Sequence, residues 1–259
     1  MESQQTEIDF GEAVRVTEAP AAPWLLVVCE HASNRIPRGL NGLGVSDAVR
    51  RSHVAWDPGA LGVAERLAAR LGAALVVGTV SRLVYDCNRP PEAPSAIPAR
   101  SEIHDIPGNA GLNDAARAQR VAGVYEPFRA ALAAQIARHR ASLALIVTVH
   151  SFTPVFNGVP RAVELGILHG ADDDFARWMM ASAPQRSGHD IRLNEPYSAV
   201  DGVAHTLDLH GAANGLPSVM IEIRNDLIAN PSDETRMAGL LADWIDRTVR
   251  ERRQAEAAR

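Results

Sequence analysis

The chain has 259 residues, 46% hydrophobic and 22% charged, values that suit one α/β domain or at most two small ones. A formal net charge of −5 carries no global basic signature for nucleic acid, and all 26 basic residues are arginine, which rules out lysine-based Schiff-base or P-loop chemistry. Cys29 and Cys87 are too few for a disulfide framework or a cysteine-type zinc knuckle and, lying in apolar segments, read as buried free thiols.

Met1 to Pro23 is acidic and polar, lacks the apolar core of a signal peptide, and reads as a lead-in to a single domain over residues 24–259. Trp24 to Cys29 (WLLVVC) is a continuous apolar run that predicts a strand buried on both faces. A short helix is expected over Ser46–Ser52. A second follows Asp57-Pro58-Gly59, with Asp57 as its N-cap, Pro58 in its first turn and Gly72 ending it. Ala73–Val80 reads as the next strand, Pro90–Pro107 as a long proline-rich loop, and Asn113–Arg140 as helix. Buried strands are predicted at Leu143–Val149, Glu164–Leu168 and Ser218–Ile223. Helices are predicted at Asp173–Ala183 and from Asn230-Pro231-Ser232 to about Arg252. No stretch approaches the ~20 apolar residues of a membrane span, so the chain reads as cytoplasmic, with no membrane or nucleic-acid partner.

Strands alternating with helices predict an α/β fold, a mixed and mostly parallel sheet with helices on both faces. In such sheets chemistry gathers at the carboxyl ends of the strands. There the chain places Glu30-His31, then Arg82 and Asp86-Cys87-Asn88-Arg89, then His150-Ser151, and Glu222 with Arg224. A lone histidine is more often structural than a ligand, but two at equivalent strand ends beside carboxylates point to zinc, whose catalytic sites keep one position open for water. Glu222, inside the apolar run SVMIEI, is either the partner of an arginine such as Arg224 or Arg89, or a general base. Arg82 and Arg89 are candidates to bind carboxylates or an oxyanion, with Asp86 orienting one of them or the metal site; a plain surface turn at Asn88-Arg89-Pro90 is the alternative.

Five segments, CEHASNRIP (29–37), HVAWDPGA (53–60), SRLVYDCNRPP (81–91), VHSFTP (149–154) and IEIRNDLI (221–228), together resemble the N-formylglutamate amidohydrolase family over roughly residues 24–230. That family is more distantly similar to the zinc carboxypeptidases and to the aspartoacylase and succinylglutamate desuccinylase group. The resemblance implies a zinc-carboxypeptidase-like fold and one Zn²⁺ per chain. His31 then stands at the first histidine of an H-x-x-E zinc motif, His150 at the later zinc histidine, and Glu222 at the catalytic glutamate. Asn34 occupies the place of the motif's glutamate, so Asp57 is the preferred third ligand, with Asn34 and Glu30 as alternatives; strand alternation sets Glu30 opposite His31.

The implied reaction is hydrolysis of a small anionic N-acyl amino acid such as N-formylglutamate, giving formate and L-glutamate. Glu222 would move the proton and Arg89 stabilise the oxyanion, while Arg82, Asn88 and Arg224 grip substrate carboxylates. Two alternatives stay open: a carboxypeptidase or amidase acting on peptide or cell-wall fragments, and a metal-free binding homologue. His205 and His210, just upstream of the Glu222 strand, either line the pocket or are solvated loop residues.

Overall fold

The structure, a computed structural model, describes residues 8–184 and 187–258. Seven strands make the main sheet: β1 (Val14–Thr17), β2 (Leu25–Cys29), β3 (Ala74–Gly78), β4 (Leu145–Phe152), β5 (Leu165–Leu168), β6 (Ile191–Leu193) and β7 (Ser218–Arg224). Their order across the sheet is β1-β3-β2-β4-β7-β5-β6. The four central strands β3, β2, β4 and β7 run parallel, as do β5 and β6 with each other; β1 against β3 and β5 against β7 are antiparallel. Both faces are covered, which is why the central strands read as unbroken apolar runs: β2, β3 and β4 are buried at every residue.

The helices are α1 (Asp47–Arg51), α2 (Ala60–Leu71), α3 (Asp114–Arg120), α4 (Glu126–His139), α5 (Asp174–Ala181) and α6 (Pro231–Ala257). On one face α2, α5 and α6 cover the odd-numbered residues of β2 and β4, with Leu67, Phe175, Leu241 and Trp244 in one core cluster. The buried face of α2, Val63, Ala64, Leu67 and Ala68, repeats at helical spacing. Truncating Leu67 to alanine there would cost about 2–5 kcal/mol. On the other face α4 contributes Phe128, Leu132 and Ile136 to a second core. The predicted helix over Asn113–Arg140 is two helices joined by a π-helical stretch, Val121–Tyr125.

Two short edge strands fall where no strand was expected. β1 lies within the N-terminal lead-in, and β6 follows His189-Asp190; both are only partly buried, so neither carries a continuous apolar run. The proline-rich loop contains a two-stranded ribbon, Arg100–Ser101 with His104–Asp105. Among the described residues no helix is long and apolar enough to cross a membrane.

The chain leaves β2 for β3 on one side of it and then returns to β4 on the other. That reversal opens a crevice at the carboxyl ends of β2 and β4, the place where ligands sit in open α/β sheets.

Candidate active site

His31 lies two residues beyond the end of β2, and His150 sits within β4. Glu222 on β7 is in register with His150, so the two side chains share a sheet face and stand side by side at one edge. The same alternation sets Glu30 on the face of Val28 and His150 rather than that of Cys29. Asp57 arrives from a 25-residue excursion that closes on itself. Its backbone N–H donates to the carbonyl of His31 at 2.9 Å, returning the chain to its point of departure.

Asp57 does not cap α2, as its position suggested. The N-cap is Gly59, in the left-handed region at φ +79°, where a Cβ would stand 2.4 Å from the carbonyl oxygen of Ile228. The freed carboxylate turns into the crevice. Asp57 Oδ2 is 3.3 Å from His31 Nδ1 and 3.0 Å from His150 Nδ1, and accepts the Ser151 backbone N–H at 3.3 Å. Its other oxygen accepts from Arg82 Nη1 at 2.7 Å. All three residues are buried, and one ligand atom from each lies within 4.8 Å of the others, so the group could hold a metal ion. Bonds of about 2.0–2.1 Å in a tetrahedral zinc site place neighbouring donors roughly 3.3 Å apart, close to the two Asp57–histidine distances of 3.3 and 3.0 Å.

The outer nitrogens of both imidazoles are matched to carboxylates. His31 Nε2 is 2.7 Å from Asp86 Oδ1, and His150 Nε2 is 3.1 Å from Glu30 Oε2. The second contact is close but off the hydrogen-bond line, leaving the Glu30 oxygens and His150 Nε2 with no in-line partner among the described residues. Metal-bound histidines are ordinarily held by a carboxylate on the outer nitrogen, as His31 is by Asp86. Glu30, one of the alternatives for the third ligand, is thus on the far side of His150 from Asp57. Asn34, the other alternative, is not among the residues that line the cleft.

Charge makes the same case. Glu30, Asp57, Asp86 and Glu222 gather about two guanidiniums, Arg82 and Arg89, a formal shortage of two positive charges when Glu222 is ionised. Without a cation, the histidines must supply it as protons. Burial alone would lower the His150 pKa, but Glu30 and Asp57 outweigh it and hold it well above the usual range; Asp86 and Asp57 raise His31 against burial and Arg82. Asp57 is held well below the carboxylate range, against its own burial, chiefly by Arg82 and His31. One divalent cation would replace those protons with the missing charge.

Glu222 differs from the other carboxylates. It is buried, and has no arginine or other cation within 4 Å among the described residues. Its Oε2 has no hydrogen-bond partner among the described residues. Burial, reinforced by the Asp57 charge and opposed by His150, pushes its pKa up to about 7. The arginine partnership considered for it is not formed: Arg224 binds Glu164 at 3.1 Å and Asp226 at 2.8 Å, and Arg89 stands by Asp86 at 3.7 Å.

These groups open into a cleft of about 620 Å³, within the range of small-molecule sites. His31, His150, Glu222, Arg82, Asn88 and Arg89 all line it. Arg224 is not among its lining residues. Asn88 has both ends of its amide occupied, donating to Val203 O at 2.6 Å and accepting from Thr206 N–H at 2.9 Å, so it anchors the segment that forms one wall. Arg89 Nη1 donates to Asp201 O at 2.6 Å and packs on Gly202.

His205 and His210 neither line the cleft nor face solvent freely. His205 Nε2 is 2.9 Å from the Tyr125 hydroxyl, and His210 is buried. Several cleft residues carried no signal in the sequence, among them Arg161 and Tyr197. They come from different segments and meet only in three dimensions.

The model of N-formylglutamate amidohydrolases matches residues 23–229. The structure is similar to that of gene product Atu2144 from Agrobacterium tumefaciens, with a TM-score of 0.90 and 48% identity over 93% of this chain and 96% of that one. It also resembles the N-formylglutamate amidohydrolase of Ralstonia eutropha JMP134, with a TM-score of 0.62 and 17% identity over 91% of this chain and 99% of that one, a likeness of fold. Among curated proteins none matches the chain. The family match covers every strand-end residue that builds the cleft, from His31 to Glu222, and the chain therefore belongs to the N-formylglutamate amidohydrolase family.

Proposed function

We propose that the protein hydrolyses the amide bond of a small N-acyl amino acid of the N-formylglutamate kind, with one Zn²⁺ held by His31, Asp57 and His150. The observation that carries this reading is the buried His31–Asp57–His150 group beside an unpaired Glu222, in the cleft of a family member. Water adds to the acyl carbon, the C–N bond breaks, and the products are the acid, formate for a formyl group, and the amino acid. When bound, the metal supplies Lewis acidity, polarising the acyl carbonyl and acidifying a water.

The chain's own residues do the rest. Glu222 takes the proton of the attacking water and returns it to the departing amine nitrogen. Its buried Oε2, without a hydrogen-bond partner among the described residues, is placed in the cleft to serve both transfers. Arg89, fixed on the cleft wall by Asp86 and Asp201, stabilises the negative charge that develops on the carbonyl oxygen. Arg82 holds Asp57 in place through its 2.7 Å bond and lends positive charge to the floor of the cleft. Asp86 fixes the ring plane of His31 through its 2.7 Å hydrogen bond, and the Glu30 carboxylate lends negative charge beside His150 Nε2.

The test is a panel of N-formyl, N-acetyl and N-succinyl amino acids incubated with zinc-loaded protein, with the released acid and amine both measured. Turnover of at least one acidic N-acyl amino acid is expected. Hydrolysis of peptides or cell-wall fragments alone would refute the reading.

A further inference from the structure

Four arginines line the cleft: Arg82, Arg89, Arg100 and Arg161. Three are already matched to carboxylates, Arg82 to Asp57 at 2.7 Å, Arg89 to Asp86 at 3.7 Å and Arg100 to Asp105 at 3.0 Å. Arg161 has no carboxylate within 4 Å among the described residues. Its guanidinium carbon instead lies 5.5 Å from the ring centre of Phe152, 4.5 Å from that of Phe156 and 4.9 Å from that of Tyr197. Its Nη1 donates to the Tyr197 hydroxyl at 3.1 Å and to Thr153 O at 3.4 Å.

Aromatic faces attract a guanidinium without neutralising it. They also restrict its torsions, so little entropy remains to be lost when an anion binds. The backbone is fixed as well: the Arg161 N–H donates to Pro154 O at 2.8 Å across the base of the Val155–Phe156 and Val159–Pro160 ribbon. Tyr197 adds a second donor. Burial raises its pKa, so the phenol stays protonated; it accepts from Arg161 and keeps its own O–H to give. Tyr197, Phe152 and Glu222 line the same cleft, which puts this cation on the reaction's side of the molecule.

We infer that Arg161, steadied by Phe152, Phe156 and Tyr197, is the residue that binds a substrate carboxylate, and that it sets the preference for acidic over neutral N-acyl amino acids. This rests on the hydrolase reading above for its substrate, but the binding claim stands apart from it. A planar guanidinium can take a carboxylate through two parallel N–H bonds. Such charge-assisted bonds discriminate against the uncharged amide by about 10–100-fold.

The experiment uses full-length protein and two readouts. Arg161→Met keeps an unbranched side chain among the rings and removes only the charge; Arg161→Lys keeps the charge without the fork. For each, melting temperature confirms the fold. Binding of glutarate and of its monoamide, glutaramate, is measured by calorimetry. kcat and KM are measured for N-formyl-L-glutamate, its α-amide and its γ-amide. The wild type should bind glutarate and favour the diacid over one of the two amides by about 10–100-fold, which also identifies the carboxylate held. Arg161→Met should raise KM for the diacid by a similar factor and bring the preference close to one, and Arg161→Lys should fall between. If Arg161→Met folds and still prefers the diacid as the wild type does, the inference is overturned; so it is if wild-type protein binds glutarate no better than Arg161→Met. Failure of the wild type to hydrolyse any of the three compounds while glutarate binding still depends on Arg161 would overturn the proposed reaction instead.

Discussion

Replacing Glu222 with glutamine separates a proton carrier from a structural ion. The amide is nearly isosteric and can still accept a hydrogen bond, but it cannot carry the proton. In the folded protein Glu222 is 5% exposed, has no cation within 4 Å among the described residues, and leaves Oε2 without a partner. Its removal therefore strands no arginine. Had it been one half of a buried pair, the substitution would cost about 3–5 kcal/mol. At roughly 2–4 °C of Tm per kcal/mol, that loss would be plain in a melting curve. The geometry predicts the opposite: an unchanged or slightly raised Tm, because a buried unpaired carboxylate is replaced by a neutral group. Metal content should also hold, since the proposed donors are His31, Asp57 and His150. The rate is where the effect falls, with kcat lower by ~10²–10⁴ and KM little changed. The assay is Tm, zinc content and steady-state kinetics on the one variant. A folded, zinc-loaded Glu222→Gln protein with near-normal kcat would refute the role given to this residue.

Glu30→Gln should leave the fold intact yet weaken metal affinity about 10–100-fold, because the carboxylate beside His150 Nε2 is lost while Asp57 still faces Nδ1; competition with a chelator measures it. His210 should make the protein acid-sensitive. Burial, with help from the charge of His205, depresses its pKa to about 4, so below about 6.5 the unfolded chain takes up a proton that the folded one refuses. Its stability contribution is intact above 6.5 and is lost as the pH falls from there to 4, by on the order of 3 kcal/mol. Melting curves between pH 7 and 4 should fall less steeply for His210→Asn; parallel curves would show that His210 is not the group responsible.

Much of the molecule was legible because its central strands are buried on both faces. WLLVVC, LALIVTV and SVMIEI could be little else, and the polar residues that end them mark one edge of the sheet. The edge strands β1 and β6 were not legible, since half-buried strands with arginine among their residues carry no distinctive run. The site followed the same division. His31, His150 and Glu222 stand at strand ends and could be picked out there, whereas Asp57 sits where an ordinary helix cap would, and it was the family resemblance that singled it out as a ligand. Only the return of its backbone to His31 O shows that its carboxylate serves the histidines. Glu30 looked like a rival ligand, and its place behind His150 depends on which face of β2 meets β4. Arg161 was invisible because its surroundings come from β4, the ribbon after it and the segment around Tyr197, which no local pattern joins.

The proposed reaction requires a zinc ion held by His31, Asp57 and His150. Metal analysis of the purified protein, paired with N-formyl-L-glutamate turnover before and after chelation, tests it most directly. One zinc per chain is expected, with loss of turnover on its removal, recovery on its return, and no bound metal in His150→Ala. Full turnover by metal-free protein, or stoichiometric zinc retained by His150→Ala, would contradict it.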